Sequence, residues 1–457
     1  MDFSKLAGEG FAGMGEFWPA ENQVECRIGV LRIGVNTKIE LEVYPNFSGF
    51  DSWNNLDSKD NITLSIINGK LRNGQVITLI NCLYLLSGGV WRADYLLKEI
   101  HTRTKNPIVY GDVNDINFYK ARVAFTCLKE WLPRQVSTHW DEENKTMTSQ
   151  LCQQAPKYEI LAKGCKITLN YSWNARPEDS SLEISGHIDF CFNQKKNYKE
   201  HIDTAGYFSS FLTLCLDKVV DIEKICLLND NWDDTVQLIY TKRRDVHEKN
   251  TSSNIRIFSY NALEDDFARF ISNWYSIGLT EEVRDSLAMF MESYERSVPL
   301  EITFLLLVQS WEGIARQIWL SKNGRPGGRT LNEVIKSLFE KVSFVLPDFI
   351  SNRRDELVDK IVASRNYYIH NSGQYSKSDI LDRDGIFIIT ILMRFMIRIR
   401  LLLETGICED KIKKVLHLDE SQRSEPHKLK YLIGQYVYND LEALCNKLKM
   451  DAINDGL

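Results

Sequence analysis

Arg365-Asn366-Tyr367-Tyr368-Ile369-His370 is the stretch of this 457-residue sequence that decides how the rest of the chain is interpreted. It brings a permanent cation, an amide and an imidazole within about one and a half helical turns. A guanidinium can hold a phosphate through paired hydrogen bonds, and an imidazole can transfer protons near neutral pH. The combination indicates chemistry at a phosphodiester.

The spacing between Arg365 and His370 carries no information by itself. The segment from Arg134 to His139 has the same spacing. That segment follows Pro133 and contains Val, Ser and Thr, so it is predicted to be a loop or a strand. Only the context distinguishes the two pairs, and His139 therefore serves as an internal control.

The context of His370 is a predicted amphipathic helix over residues 348–370, which ends before Asn371-Ser372-Gly373. Asn366 and His370 are four residues apart and lie on one face of this helix, and Arg365 flanks that face. These polar groups continue an apolar stripe. We therefore expect them to form a half-buried seam.

The sequence before residue 255 has the pattern of a β-rich domain. Short runs rich in Val, Ile, Thr, Tyr and Trp alternate there with Gly, Asn and Asp. This alternation predicts strands, with one helix over residues 205–216. The predicted strands cover residues 26–32, 38–43, 62–67, 75–80, 122–127, 166–173, 181–192, 235–240 and 254–259. We expect a β-rich, sandwich-like N-terminal domain over residues 1–255.

After residue 260 the apolar residues recur with helical spacing instead. The predicted helices cover residues 262–277, 280–297, 300–322, 331–341, 348–370, 379–405 and about 428–449. We expect an all-α bundle over residues 256–457, so the chain is predicted to be a multidomain α+β protein. Its length also exceeds what one ordinary core would use.

Composition and charge exclude several classes of protein. With 44% hydrophobic and 26% charged residues the chain is an ordinary globular protein, and its net charge of −6 argues against a surface built for general nucleic-acid binding.

The ten cysteines form no Cys-x-x-Cys pair and no zinc-like spacing with histidine. The start, Met1-Asp2-Phe3-Ser4, has no secretory signal. We expect a cytoplasmic protein with reduced thiols, no metal and no cofactor.

Three segments of this chain resemble one known family. Residues 365–370 are similar to the Arg-polar-x-x-x-His signature of HEPN ribonucleases, with Asn in the second position. Residues 304–313 resemble the corresponding helix of the Apea-like branch of that superfamily. Residues 8–19 resemble the start of the domain that precedes HEPN in this branch. The resemblance covers most of the chain in outline and identifies it as similar to ApeA-type anti-phage HEPN ribonucleases.

The resemblance implies a fold and an activity. Residues 256–457 would form a HEPN nuclease domain, with a core at about 298–410. The activity would be metal-independent endoribonuclease cleavage in abortive-infection defence against phage, with single-stranded RNA loops as substrate and tRNA anticodon loops as a specific candidate. The partners would be RNA, a second copy of the chain or a higher homo-oligomer through the HEPN domain, and a phage-derived trigger at the N-terminal domain.

The motif residues have distinct expected roles in such a cleavage. In RNA the 2′-OH can attack the adjacent phosphate, so the enzyme has to move protons and stabilise an anionic transition state. His370 would transfer protons, and Arg365 would hold the phosphate and stabilise its charge. Asn366 would orient His370 or hydrogen-bond the ribose or phosphate. The expected product carries a 2′,3′-cyclic phosphate.

Other residues are candidates for supporting roles. Glu312 lies in a very apolar helix, so it is expected to have a cationic partner, either Arg365 or an arginine of the next helix, or to act in the site itself. Tyr367 is a supporting candidate within the motif. Asn371 is a further one, although a helix cap is the simpler role for it.

Two arginines of a later helix have two alternative interpretations. Arg394, Arg398 and Arg400 interrupt an apolar segment at residues 385–403, and three arginines in a bilayer would be costly, so we expect a buried helix rather than a membrane span. Arg394 and Arg398 share one face of this helix. They either pair with acids or lie at the helix edge, or they line an RNA-binding groove.

Two other classes of function remain open from the sequence. The chain could be a non-catalytic HEPN protein that uses its helices for dimerisation or nucleotide binding. Alternatively, the β-rich domain could bind a ligand while the helices serve as a dimerisation platform.

Overall fold

The structure of the protein is a computed structural model. The residues that it describes are 11–34, 38–47, 63–85, 89–101, 109–132, 136–141, 146–151, 157–160, 164–176, 181–229, 235–240, 258, 260–277, 280–294, 298–323, 329–370, 379–416 and 441–445.

The first six strands close into an antiparallel barrel. They are β1 (Phe11–Pro19), β2 (Arg27–Ile33), β3 (Ile39–Tyr44), β4 (Thr63–Leu71), β5 (Val76–Leu85) and β6 (Val90–His101). Their order is β6-β3-β2-β1-β4-β5, and β5 pairs with β6 to complete the ring. The Phe17 ring lies in the barrel core, and a β-carbon at Gly69 would lie 2.5 Å from it, so glycine is required at that position.

The remaining strands extend the same sheet beyond the barrel. They are β7 (Asn117–Phe125), β8 (Val136–Asp141), β9 (Thr146–Leu151), β10 (Lys157–Ile160), β11 (Cys165–Arg176), β12 (Ser181–Asn197), β13 (Ile222–Leu228) and β14 (Thr235–Tyr240). The extension runs β10-β11-β12-β7-β13-β14-β6, and β8 and β9 form a separate hairpin.

Strand β6 belongs to both parts of the sheet. On one side it pairs with β5 along most of its length. On the other side residues 91–93 pair with β3, and residues 95–101 pair with β14. The prediction of a β-rich N-terminal region followed by a helical region is confirmed. The sheet is a barrel with an open extension rather than a sandwich, because one long strand pairs with two partners on the same side.

Helices pack against the part of the sheet that extends beyond the barrel. These are α1 (Leu128–Trp131), α2 (Tyr198–Leu216), α3 (Tyr260–Leu263) and α4 (Phe267–Ile277). Phe208 and Phe211 of α2 pack against Trp131, and Phe211 also contacts Phe267 of α4. The indole nitrogen of Trp274 donates a hydrogen bond to the Tyr207 carbonyl oxygen at 2.8 Å. Helices α3 and α4 therefore share one core with the sheet. The division of the chain near residue 255 stays a prediction.

The C-terminal region is a helical bundle. Its helices are α5 (Glu281–Glu292), α6 (Leu300–Asn323), α7 (Leu331–Val342), α8 (Asp348–Ser351), α9 (Arg354–His370), α10 (Arg383–Glu404) and α11 (Glu409–Leu416). Thr330 caps α7 in a capping box with Glu333, and the Asp382 side chain accepts a hydrogen bond from the Gly385 N–H at the start of α10. Within the parts of the chain that the structure describes, no helix combines the length and the apolar character that a bilayer crossing requires.

The helix boundaries differ from the sequence prediction in one place near the motif. Residues 348–370 form two helices, because the Arg353 N–H bonds to the Ile350 carbonyl, three residues back, and so interrupts the α-helical pattern. Of two further predicted elements, the strand over 254–259 lies outside the described residues apart from residue 258. The last helix, predicted over about 428–449, is described only for residues 441–445, which are helical.

Helix α10 joins the bundle to the N-terminal region through a buried arginine. Arg398 is 1% exposed. Its Nη1 lies 2.6 Å from Asp217 Oδ1, and its Nε and Nη2 donate to the Leu214 carbonyl oxygen at 3.2 and 2.8 Å. Leu214 and Asp217 form the carboxyl end of α2, where the helix dipole is negative. Tyr294 donates a further hydrogen bond to Asp217 at 3.3 Å.

Arg394 binds the end of another helix, α5. Its guanidinium donates to the Ser293 carbonyl oxygen and lies 4.7 Å from the centre of the Tyr294 ring. Arg398 is buried where α10 packs against α2, so the interpretation that it lines an RNA groove is wrong. Arg394 binds the end of α5. For Arg398 the alternative, pairing with an acid, is what the structure contains.

Arg398→Met should destabilise the full-length chain strongly. It leaves the Leu214 carbonyl and the Asp217 carboxylate without their donor, and breaking a buried pair lowers the free energy of unfolding by about 3–5 kcal/mol. We expect the lower part of that range, because Asp217 keeps some solvent and the Tyr294 hydroxyl. Denaturant unfolding followed by circular dichroism measures the change.

Arg32→Ala is the control for this experiment, because Arg32 pairs with Glu42 at 2.8 Å on the surface, with both side chains about half exposed. Such a pair contributes less than about 1 kcal/mol. Equal shifts in the two variants would contradict the structural role of Arg398.

Candidate active site

The motif residues occupy the last turns of α9. Leu357 and Ile361 bury the earlier part of this helix in the core. The Ser364 hydroxyl is buried and accepts a hydrogen bond from the Leu381 N–H at 2.8 Å, which ties the end of α9 to the start of α10. After Ser364 the helix emerges from the core: Arg365 is half-buried, and His370 is exposed. The motif therefore lies at the boundary between core and solvent.

Arg365 is held on two sides. Its Nη2 lies 3.7 Å from Glu312 Oε2 on α6, and its Nη1 donates to the side-chain oxygen of Asn366 at 3.0 Å. Its Nε is buried and has no hydrogen-bond partner among the described residues. The side chain is 22% exposed. Asn366 thus contacts Arg365, and its expected role of orienting His370 or binding the substrate stays a prediction.

Glu312 shares its carboxylate between two arginines. Its Oε1 accepts from Nη2 of Arg316 at 2.7 Å and from Nε of Arg316 at 3.3 Å, and its Oε2 faces Arg365. The sequence suggested Arg365 as one partner of Glu312, and the structure contains this pair. Whether Glu312 also acts in the chemistry stays a prediction.

A cleft lies next to these groups, between helices α5, α6 and α9. The cleft is open to solvent and has a volume of about 390 Å3. It is lined by Ser286, Met289, Gln309, Glu312, Gly313, Arg316 and Arg365. The two arginines carry one more positive charge than the single carboxylate neutralises. A small anion is the chemical complement of such a cleft.

Gly313 sets how closely α5 approaches α6 at this cleft. A β-carbon at this position would lie 2.1 Å from Ser286 Oγ and 3.2 Å from its Cβ. Ser286 is itself buried. Only glycine fits here without displacing Ser286, so the cleft depends on the absence of a side chain.

His370 lies apart from Arg365 on the same helix. Five residues of α-helix separate their directions by about 140° and their positions along the axis by about 7.5 Å. Arg365 faces the cleft, whereas His370 is exposed near the helix end. One copy of the motif therefore directs its cation and its imidazole to different sides.

The supporting candidates have different surroundings. The rings of Tyr367 and Tyr368 lie 5.3 Å apart in an edge-to-face arrangement. Burial, together with the nearby carboxylate of Glu301, raises the pKa of Tyr368, so this hydroxyl is not a base at neutral pH. Asn371 lies outside the described residues. Among the residues that are described, no group of three or more His, Cys, Asp or Glu side chains could hold a metal ion.

Several residues of the cleft were not found from the sequence. Arg316 follows Glu312 by four residues on α6, and this spacing could have indicated the pair. Gln309 precedes Gly313 by the same interval. Ser286 comes from another helix, and no local pattern points to it. The control residue His139 lies in strand β8, which agrees with the loop or strand predicted for its segment.

A helical bundle that carries Arg-polar-x-x-x-His at the end of a helix is the arrangement of a HEPN domain. Comparison with protein families supports this class. Residues 306–411 match the Apea-like HEPN family, and residues 14–274 match ApeA N-terminal domain 1. No curated protein and no solved structure matches the chain significantly.

The chain therefore belongs to the ApeA-like HEPN family, since the two matches cover most of its length and include the motif, Glu312 and Arg316. HEPN domains are typically ribonucleases and generally dimerise, and this family is associated with anti-phage defence. The first match extends through α3 and most of α4, the helices that share a core with the sheet.

Gly313→Ala should destabilise the bundle. The added methyl group forces Ser286 to move, and overpacking of this kind costs about 1–3 kcal/mol. Replacing a helical glycine by alanine returns about 0.5–1 kcal/mol, so the free energy of unfolding should fall by up to about 2 kcal/mol. Ser286→Ala in the same chain removes the closest contact and should restore part of the loss. A double-mutant cycle measured by denaturant unfolding gives the coupling between the two positions.

Gly206→Ala is the matched control, because Gly206 lies inside helix α2 and a β-carbon there would meet nothing within 4 Å. This change should be neutral or stabilising. The close approach of α5 and α6 would be contradicted if Gly313→Ala behaved in the same way.

Proposed function

We propose that this protein is a metal-independent endoribonuclease of anti-phage defence, which cleaves single-stranded RNA loops and so stops phage growth in an infected cell. The main support is the position of Arg365. Its guanidinium lines a cleft of net positive charge, is fixed by Glu312 and Asn366, and lies on the same helix as the exposed imidazole of His370.

Arg365 supplies the electrostatic part of the proposed mechanism. The ribose 2′-OH attacks the adjacent phosphorus, and the bond from phosphorus to the leaving 5′ oxygen breaks. Charge develops on the phosphate oxygens during this step, and a guanidinium at a partly desolvated position stabilises it more than it would in water. Asn366 is a positioning residue, because its side-chain oxygen holds one arm of Arg365.

His370 supplies the proton transfer. It removes the proton of the 2′-OH or protonates the leaving 5′ oxygen, and one imidazole in one copy performs one of these tasks at a time. The products are a 2′,3′-cyclic phosphate and a 5′-OH end. Tyr367 stays a supporting candidate through its ring contact with Tyr368.

The complete site is proposed to form between two copies of the chain. Because Arg365 and His370 point about 140° apart on α9, the cation of one copy and the imidazole of the other can meet one phosphate across a two-fold axis. Three of the bundle helices also expose apolar side chains that a second copy could cover. Ile302, Ile369 and Phe387, at the ends of α6, α9 and α10, are 43–46% exposed.

The substrate and the trigger follow from the same proposal. The chain has a net charge of −6, so RNA has to be gripped locally, and an unpaired loop offers a backbone that can adopt the in-line geometry. A tRNA anticodon loop in the cytoplasm is the specific candidate. The barrel and its sheet extension would sense a phage-derived component or hold the nuclease inactive until it arrives.

Arg365→Ala and His370→Ala should each lower RNA cleavage by at least about 100-fold, because each removes a group that acts in the transition state. The fold should persist, since neither side chain is fully buried. RNA from cells that express each variant, sequenced at its 5′ and 3′ ends, measures the cleavage and locates the target.

His139→Ala is the control and should cleave like the unchanged protein, since His139 has the same spacing to an arginine but lies in strand β8. EDTA should not inhibit. Cell toxicity that survives both motif substitutions would support a non-catalytic HEPN protein or a ligand-binding β-domain instead. Strong inhibition by EDTA, or equal cleavage of DNA, would contradict the mechanism.

Mixing the two inactive variants tests the shared site. In a mixed dimer one composite site keeps its Arg365 from one copy and its His370 from the other, so cleavage should return when Arg365→Ala and His370→Ala proteins are combined. Ile369→Asp in both variants should prevent this recovery by placing charge in the contact. If mixing restores nothing while both proteins remain dimeric, the two groups act within one copy.

A further inference from the structure

We propose that Arg316 of α6 binds a second phosphate of the RNA, next to the one that Arg365 holds, and that Glu312 fixes the spacing of the two guanidinium groups. This inference rests on the proposed nuclease function and deepens it. It makes the cleft between α5, α6 and α9 a subsite for the backbone that flanks the cleaved bond.

The contacts of Glu312 are unequal. Arg316 approaches Oε1 at 2.7 Å, whereas Arg365 lies 3.7 Å from Oε2. The carboxylate therefore orients Arg316 firmly and Arg365 loosely. The Asn366 side-chain oxygen holds another arm of Arg365 at 3.0 Å, so both guanidinium groups are positioned before RNA arrives.

Each arginine retains a donor for a ligand. Arg316 uses Nε and Nη2 on Glu312, and its Nη1 has no partner in the part of the chain that the structure describes. Arg365 meets Glu312 only through Nη2 at 3.7 Å, which is beyond hydrogen-bond distance, so this nitrogen can donate to a ligand in the cleft. Phosphate oxygens in the cleft would complete both donor sets with charge-assisted hydrogen bonds.

The charge of the cleft favours an anion. Two guanidinium groups and one carboxylate line it together with the uncharged Ser286, Met289, Gln309 and Gly313. The excess of one positive charge stands out in a chain whose overall charge is −6. An RNA backbone is the anion that the neighbouring motif already requires.

Stability alone does not explain Arg316. Its side chain is 40% exposed, and its pair with Glu312 spans one turn of the same helix. Such pairs contribute about 0.5 kcal/mol or less. Arg316 can therefore be replaced without unfolding the protein, which makes it suitable for a binding experiment.

Binding of a short, fluorescently labelled single-stranded RNA to the full-length His370→Ala protein tests the inference without cleavage. Arg316→Ala in this chain should weaken binding about five- to tenfold and reduce the slope of log affinity against log salt by about 1. Arg316→Lys should recover part of the affinity. Arg269→Ala is the matched control, since Arg269 lies in α4, outside the bundle, and pairs with Asp266 of the turn just before that helix, and it should leave affinity and slope unchanged.

Glu312→Gln separates direct binding from a purely positioning role. Glu312→Gln keeps a side-chain oxygen that can accept from Arg316 but removes the negative charge, so if Arg316 contacts phosphate RNA affinity should be kept or raised, opposite to Arg316→Ala. If Arg316 acts only by tying Glu312, the two substitutions should weaken binding alike, and the inference is wrong.

The inference and the proposed function fail in different ways. If the unchanged protein cleaves RNA but Arg316→Ala does not change RNA affinity, the phosphate subsite is overturned and the nuclease function stands. Absence of cleavage with Arg316-dependent binding overturns the nuclease and leaves the subsite. Absence of both cleavage and binding overturns both.

Discussion

The site depends on one carboxylate placed between two arginines at the edge of a core. Glu312 lies in the apolar helix α6, and Arg316 and Arg365 give its carboxylate two cationic partners. Packing holds the helices that carry these groups, and the ion pairs then orient the side chains between the helices. Leu307 and Trp311 of α6 and Ile361 of α9 are buried in the same core, so the two helices cannot shift without opening it. The polar groups on these helices are therefore also held in place.

A second buried cation connects the site to the rest of the molecule. Arg398 links α10 to the carboxyl end of α2, and α10 also packs against α6, which carries Glu312. Any event in the N-terminal region that moves α2 against α10 has to break the hydrogen bonds of Arg398 to Leu214 and Asp217. Because a buried guanidinium without partners is strongly unfavourable, such movement would favour a second defined arrangement over gradual drift. This is a physical basis on which the β-rich region could control the proposed nuclease.

Local patterns predicted much of the secondary structure and little of how it is assembled. The alternation over residues 26–32 and 38–43 located β2 and β3 within one residue, and the apolar spacing over 300–322 located α6. Barrel closure was not predicted, because no strand was predicted over β6 (Val90–His101) and because the partners of this strand do not follow from its own side-chain pattern. Strand β1 was missed because glycines lower strand propensity, although Gly15 is needed there for close contact with the backbone of Lys70.

In the candidate site, too, residues within one helix could be predicted, and contacts between distant parts of the chain could not. Arg365, Asn366 and His370 were predicted because they lie within one helix, and Glu312 was suggested because a charge in an apolar helix requires a partner. The burial of Arg398 was not predictable, since its partner Leu214 lies 184 residues earlier in the chain. Ser286 was missed for the same reason, because its contact with Gly313 exists only after α5 and α6 have packed.

The helical spacing of the motif constrains how any catalysis can occur. An arginine turned toward a cleft and a histidine turned toward solvent cannot both touch one phosphate oxygen within a single rigid helix, since about 140° separates them. Either the RNA wraps around the end of α9, or the second group comes from another copy. A backbone that wraps would lie against the exposed Ile369, the neighbour of His370 in the chain, which offers it no side-chain hydrogen bond. An apolar side chain beside the exposed imidazole suits a second protein chain better than a polyanion, and this favours the shared site.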